Sequence, residues 1–409
     1  MFDSITILNF SLSLYLIIKS FKRSSILIPH LIVFFYFFSS MLISNILIRE
    51  GFYIYEQKIY GFPNNSIFFL SIFILFFSIA IYRSNFNKKI NIQTYITKIS
   101  KSPVFIYISL LAIFILSDFI LIRILGYGTN RLNIYDGLSI GPYLLPVRII
   151  LYSLSLYYII RSPSVYQKVI ISIAMIIWGF IRWDITGSFF PLLLPWAFLI
   201  IIENNKQKLS LRFISMIIAL LIPIGYLKFM QLDTFFVTRI VLGGHVFWGS
   251  INEMWNGDIF YQLSNYINSF FSLDSFTTNE GFGMGYLMKM LSGSLADGYL
   301  EKGIRFTAGM PAILIINFGI IISVLLYYIS IFYYVKWLAT YTRILFHSNV
   351  IVFLIAYRIN IVLLDYLLMG EIGMIHIKFV AILVFFVSFR AFLKQKNKIT
   401  NTQAGYSFA

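Results

Sequence analysis

Apolar runs of about twenty residues follow one another from end to end of this 409-residue chain, separated mostly by short polar connections. Runs of that length cross the roughly 30 Å hydrocarbon core of a bilayer as helices. The pattern predicts spans over residues 5–18, 26–48, 66–82, 103–125, 143–160, 166–181, 185–202, 213–229, 309–335, 348–368 and 372–389. The expectation is an all-α polytopic membrane protein with about eleven transmembrane helices in one bundle (1–229 and 309–395), a large outer loop (230–308) and a short tail (396–409).

Composition agrees with that pattern: 59% of residues are hydrophobic and 12% charged, against about 25% charged in a soluble fold. The stretch MFDSITILNFSLSLYLIIKSFKR places its basic residues after the apolar run, as a retained first span does. The net charge of +16 would suit nucleic acid if it formed one patch, but it is distributed by topology. Alternate connections hold nineteen basic residues and a single acid, Glu203, which marks them as cytoplasmic. The N-terminus then lies outside and the C-terminal KQKNK segment inside. No nucleic-acid partner is expected; the membrane lipids are the charged neighbours.

Two segments depart from simple spans. Residues 169–202 would be about 51 Å long as one helix, too long for one crossing and short for two. They predict a tight hairpin with RWDITG (182–187) at its tip, bringing Arg182 and Asp184 to or just below the outer surface. The connection 230–308 is long enough to be functional in its own right. In it Trp248, Ile251, Trp255, Ile259, Leu263, Tyr266, Ile267 and Phe270 recur at three- and four-residue steps. That spacing suits an amphipathic helix on the outer leaflet or a small helical lid.

Charge at membrane depth is expensive and marks watered cavities. On this topology Arg123, Arg148, Arg182, Lys228, Arg239, Arg305, Arg358 and Lys378 all fall in the outer half of the membrane or at its outer mouth, with Asp365, Glu371 and His376 among them. They predict a cationic cavity open to the outside, and arginine suits a diphosphate through bidentate, charge-assisted hydrogen bonds. Asp184, His245 and Glu280 are the candidate general bases.

Other chemistries lack their residues. There is no cysteine, and the four histidines (30, 245, 347, 376) are scattered, so no metal site is expected. GFGMG (281–285) has no strand–helix setting and reads as a loop, not a dinucleotide site. No phosphate-binding P-loop and no Asp-x-Asp pair occurs, so a sugar donor would be lipid-linked and no cofactor is implied.

Three features together resemble the Wzy-type O-antigen and capsule repeat-unit polymerases. They are the span number with one dominant late outer loop, TRIVLGGHVFWGSINEMW (238–255), and FTAGMPAILIINFGII (306–321), where the loop re-enters the membrane. The resemblance implies a GT-C-like glycosyltransferase of the bacterial inner membrane, with its site facing the periplasm. The growing glycan on undecaprenyl diphosphate would be donor, a single lipid-linked repeat unit acceptor, and a chain-length regulator protein a partner. It carries Arg239 over first, then Arg182 and Arg305. An O-antigen ligase shares this layout, and a lipid-linked oligosaccharide flippase is the alternative from another class.

The charge asymmetry generates a direct test. A reporter fused after Asp274 is expected to be active outside the cytoplasm and one after Lys208 inside it; the reverse pattern would overturn the topology.

Overall fold

The computed structural model describes residues 4–23, 28–49, 66–84, 96, 98–126, 141–182, 194–201, 244, 246–251, 263–264, 267–268, 283–301, 310–369, 380, 383–384 and 387. Among them every regular element is a helix: α1 (Ser4–Arg23), α2 (Ile28–Arg49), α3 (Ser66–Arg83), α4 (Lys101–Phe119), α5 (Gly141–Arg161), α6 (Val165–Ile181), α7 (Gly283–Ser292), α8 (Leu295–Glu301), α9 (Met310–His347) and α10 (Val350–Met369). α4 continues through a π-helical turn, Ile120–Ile124. Residues 194–201 and 246–251 are helical as well.

Six of these segments are long and apolar enough to cross a membrane: Ser4–Lys22, Ile28–Asn45, Ser66–Arg83, Lys101–Ile124, Met310–His347 and Val350–Leu367. Val165–Ile181 is a shorter apolar helix. The expected span 185–202 is represented by residues 194–201 and 372–389 by four residues, while 213–229 lies outside the described residues.

The helices bury one side and offer apolar side chains on the other. On α4, Phe105, Ile106, Leu110, Ile113 and Leu116 are exposed while Val104, Tyr107 and Leu111 are buried. Lipid tails solvate such a face at no cost, so its apolar character carries no penalty. The many serines inside the helices return their hydroxyls to their own backbone, as Ser78 does to the Ile74 carbonyl at 2.7 Å and Ser172 to the Lys168 carbonyl at 2.8 Å. That satisfies a donor where no water is at hand.

α9 differs from the expected span 309–335. It runs to His347, so Lys336 and Arg343 sit on a helix instead of in a connection. The apolar face continues unbroken through Val335, Leu338, Tyr341 and Leu345, all buried, with both basic residues on the exposed side. The Lys336 ammonium lies 4.2 Å from the Phe332 ring centroid, a long side chain lying back along its own helix.

Near its start α9 is broken at Gly319, whose φ of 68° and ψ of −179° no residue with a side chain adopts easily. The segment before the break, Met310–Phe318, is buried at every position. At about 13 Å it is less than half a membrane crossing. Residues of the long connection pack against it: Val246, Leu287, Met288, Leu291 and Ala296 meet Ala312, Ile313 and Ile316.

Of the apolar stripe expected on the outer leaflet, Trp248 and Ile251 lie in the core with α2, α3 and α9. Leu263 and Ile267 are exposed, and Trp255, Ile259, Tyr266 and Phe270 lie outside the described residues. Gly244, at the start of that buried stretch, abuts α2 so closely that an added Cβ would stand 1.3 Å from the Ser44 hydroxyl oxygen.

Three glycine substitutions separate these effects. Gly319→Ala is expected to cost roughly 1–3 kcal/mol through backbone strain, and Gly244→Ala about as much through the clash with Ser44. Gly298→Ala, with open space around it, is expected to lose nothing. Thermal unfolding of the three purified variants in one detergent distinguishes them; equal melting points would contradict the break and the close approach alike.

Candidate functional site: a cation cluster at one end of α4, α5 and α6

α4, α5 and α6 are joined by stacked rings. The Tyr107 hydroxyl of α4 donates to the Leu151 carbonyl of α5 at 2.9 Å, and its ring stacks on Tyr158 at 4.8 Å. Nearer the other end of the trio, Tyr152 of α5 stacks on Trp178 of α6 at 4.6 Å, and Phe114 of α4 meets the same indole edge-on at 5.5 Å. This aromatic layer sets the level of the charges.

Asp118 of α4 and Arg182, which caps α6, are only 1% and 2% exposed. The Trp178 indole N–H donates to Oδ2 of Asp118 at 2.6 Å, and the Arg182 Nε stands 3.7 Å from the same oxygen. One carboxylate oxygen thus meets an indole and a guanidinium, a combination that offsets much of the desolvation each charge suffers in the interior. The carboxylate facing Arg182 is therefore Asp118 of another helix; Asp184, its near neighbour in the sequence, lies outside the described residues.

Two more arginines stand at this level. Arg123, exposed, donates from Nη2 to the Phe180 carbonyl in the last turn of α6 at 3.0 Å. Arg148 lies one turn before Tyr152 on α5, and Arg182 one turn beyond its stacking partner Trp178. Arg148 and Arg182 accordingly extend from the same aromatic layer toward the same end. Arg148 is half-buried, and its Nε is buried with no hydrogen-bond partner. Among the described residues, three arginines therefore stand at this end of the trio, one of them paired with Asp118.

At the opposite end of α5 the structure is closed by a different arginine. Arg161 donates from Nη1 to the Tyr157 hydroxyl at 2.8 Å and to the Ser348 carbonyl, which also accepts from Tyr157 at 3.0 Å. The Ile99 amide donates to the Arg161 carbonyl at 3.2 Å. The connections before α4, after α5 and after α9 thus meet at one end, as the basic-residue pattern requires of three loops on one side.

Two further expected site residues are described. Arg358 is exposed and Asp365 half-buried on α10. Arg239, His245, Glu280, Arg305 and Lys378 lie outside the described residues. Sequence reasoning missed Asp118, although it is the lone acid within an apolar helix, a signal it could have used. GLSIG (137–141) has the glycine-x-serine-x-glycine spacing of a nucleophile elbow. That motif needs a strand running into the serine; residues 137–140 lie outside the described residues, and Gly141 begins α5.

Residues 277–385, about a quarter of the chain, match a family of unknown function, DUF6418. The match covers α7 through α10 and leaves the α4–α6 cluster outside it. No curated protein and no solved structure matches the chain.

The geometry separates the two best-placed arginines. Arg182→Ala leaves a buried carboxylate without its cation and is expected to cost about 3–5 kcal/mol. Arg123→Ala, at an exposed position, should cost about 1 kcal/mol or less. Melting temperatures of the two variants check this; an Arg182→Ala protein as stable as wild type would remove the ion pair from the account.

Proposed function

We propose that the protein is an O-antigen polymerase of the Wzy type, a GT-C-like membrane glycosyltransferase of about eleven spans. It would join undecaprenyl-diphosphate-linked repeat units at the periplasmic face of the bacterial inner membrane. The observation that carries the proposal is the placement of Arg123, Arg148 and Arg182 at one end of an apolar helical trio, with the buried carboxylate of Asp118 beside Arg182. Cations held at membrane depth fit an anionic substrate that is itself a lipid. The break at Gly319 lends further support, because irregular backbone at depth is tolerated where protein buries it or a cavity adjoins it.

In the reaction the bond between the donor glycan's anomeric carbon and the diphosphate oxygen breaks, and undecaprenyl diphosphate leaves as an anion. An acceptor hydroxyl oxygen bonds the same carbon, and its proton passes to a carboxylate or histidine, for which Asp184, Glu280 and His245 are the candidates. Negative charge develops on the leaving diphosphate, where fixed guanidinium groups stabilise it without reorganisation. Removing one is expected to cost on the order of 2–4 kcal/mol of transition-state stabilisation, by analogy with an oxyanion donor. Arg239, Arg305, Arg358 and Lys378 are proposed to complete the cationic lining, and a chain-length regulator is the proposed protein partner.

The surface glycan of a deletion strain tests the class. Loss of a polymerase leaves lipid core carrying one repeat unit, loss of a flippase leaves bare core, and loss of a ligase strands polymer on the lipid carrier. In complementation, Arg239→Ala is expected to abolish polymer and Arg239→Lys to leave little, since lysine keeps the charge but lacks the bidentate fork. Full-length glycan from an abundant Arg239→Ala protein would remove that residue from the site. Purified protein should polymerise lipid-linked repeat units in EDTA; loss of product reversed by magnesium would refute the metal-free mechanism.

A further inference from the structure

Two carboxylates in the described residues are already engaged. Asp118 accepts from Trp178 and pairs with Arg182, and Asp297 of α8 lies 3.4 Å from the Lys289 ammonium. Asp365 of α10 differs from both. It stands in the membrane-spanning segment Val350–Leu367 and is half-buried. Among the described residues no cation comes within ion-pair distance of it and no group donates to it. Arg358, on the same face of α10, acts on it only through its field. An intramembrane carboxylate that is left uncommitted marks a functional site. With open lone pairs and partial exposure it can accept a proton.

The contacts of α5 give its depth. α5 and α10 run antiparallel from the end that Arg161 closes. There the Tyr157 hydroxyl donates to the Ser348 carbonyl at 3.0 Å, and the Tyr157 ring lies 5.0 Å from Phe353. Farther along the pair, Tyr152 of α5 is within electrostatic reach of Tyr357 of α10. From the Tyr157–Phe353 contact, Arg148 lies about 14 Å along α5 and Asp365 about 18 Å along α10. Their depths therefore differ by about one helical turn, toward the end where Arg123 and Arg182 stand. Asp365 also acts on Tyr334 of α9 and on Tyr357, which puts it at the seam of α9 and α10 beside α5. Arg148 shares a face of α5 with Tyr152, and its Nε is buried without a partner. Neither of these two charges neutralises the other, so both keep their capacity for a ligand.

On the polymerase reaction proposed above, we infer that Asp365 is the general base. The acceptor's sugar hydroxyl gives its proton to the Asp365 carboxylate while its oxygen bonds the donor's anomeric carbon. The bond from that carbon to the diphosphate oxygen breaks, and its electron pair leaves with undecaprenyl diphosphate, whose charge Arg148 meets. Asp365 then returns its proton to water at the outer surface. Asp184, Glu280 and His245 lie outside the described residues, whereas Asp365 has the depth, exposure and open lone pairs that the step needs. Around it stand Arg358, Tyr357 and Tyr366 on α10, Tyr334 on α9, and Arg148 and Tyr152 on α5. Arginine and tyrosine ordinarily titrate far above a carboxylate, so among these groups an acid limb in the rate belongs to Asp365.

The test follows polymer formed from lipid-linked repeat units by the full-length protein in lipid nanodiscs, across pH. Wild-type kcat is expected to fall as the pH drops through the carboxylate range. Asp365→Asn should lose roughly a hundredfold to ten-thousandfold in kcat, with KM for the donor little changed and the acid limb gone. Asp365→Glu should keep an acid limb, displaced, at reduced rate. Formate should restore part of the activity of Asp365→Ala, because a small carboxylate can occupy the space the side chain leaves. No polymer from wild type overturns the polymerase reading and the inference with it. Polymer from wild type, with Asp365→Asn equally fast or equally pH-dependent, overturns the role of Asp365 alone. So does a slow Asp365→Asn with a lowered melting temperature and no formate rescue of Asp365→Ala, the pattern of a structural residue. If Asp365→Asn fails to fold, Asp365→Glu decides, and an acid limb that has not moved overturns the assignment.

Discussion

A charge inside a bilayer has to meet its opposite within the same low-dielectric space, and this requirement organises the α4–α6 trio. Asp118 cannot remain ionised in the interior alone, and Arg182 cannot enter it alone. Their meeting at 3.7 Å, with Trp178 donating to the same oxygen, fixes the register of α4 against α6. The aromatic layer of Tyr152, Trp178 and Phe114 then fixes α5 to both. Sliding either helix by one residue would part the pair and strand two charges. A purely apolar contact would tolerate the same slip with small loss, since one leucine resembles the next.

The same rule applies at the other end, with backbone in place of carboxylate. Arg161 meets the Ser348 carbonyl and the Tyr157 hydroxyl. Ser348 belongs to the tight connection between α9 and α10 and Tyr157 to α5 itself, so one guanidinium closes its own helix end and ties it to a loop distant in sequence. His30 follows suit in the interior, where its Nε2 lies 3.1 Å from the Thr342 hydroxyl and its ring meets Phe198 and Tyr341 edge-on. A scattered histidine thus joins α2 to α9.

How much of this the sequence discloses follows from what hydropathy measures. Residues 66–82, 143–160, 166–181 and 348–368 were legible as helices, and α3, α5, α6 and α10 lie over them within a few residues. An apolar run of helical length has few other options in this setting. The continuation of α9 past residue 335 was not legible, because a basic residue looks like the end of a span whether it sits in a loop or lies back along a helix as Lys336 does. Nor was the burial of Trp248, since an apolar stripe reads the same facing lipid or protein. In the site, the arginines stood out by rarity alone. Their convergence was already an expectation from topology; the Asp118 partner was not, because Asp118 and Trp178 are sixty residues apart and only the folded chain makes them neighbours.

Two stretches of the chain meet the membrane's constraints by different means. The α4–α6 trio brings charge inside and binds it with aromatic rings and one carboxylate. The α7–α10 stretch, which is the part matching a family, instead brings irregular backbone inside. Its short segment Met310–Phe318 ends at a glycine conformation that interrupts the helix, and every residue of it is covered by protein. Such a break exposes main-chain groups that lipid cannot satisfy, so it requires a coat, and residues 246–251 with α7 and α8 supply part of it. The described parts of the long connection are therefore part of the bundle's interior. A polar ligand reaching the arginines and a backbone break sheltered by the outer connection would share one physical need, a region of the membrane from which lipid is excluded.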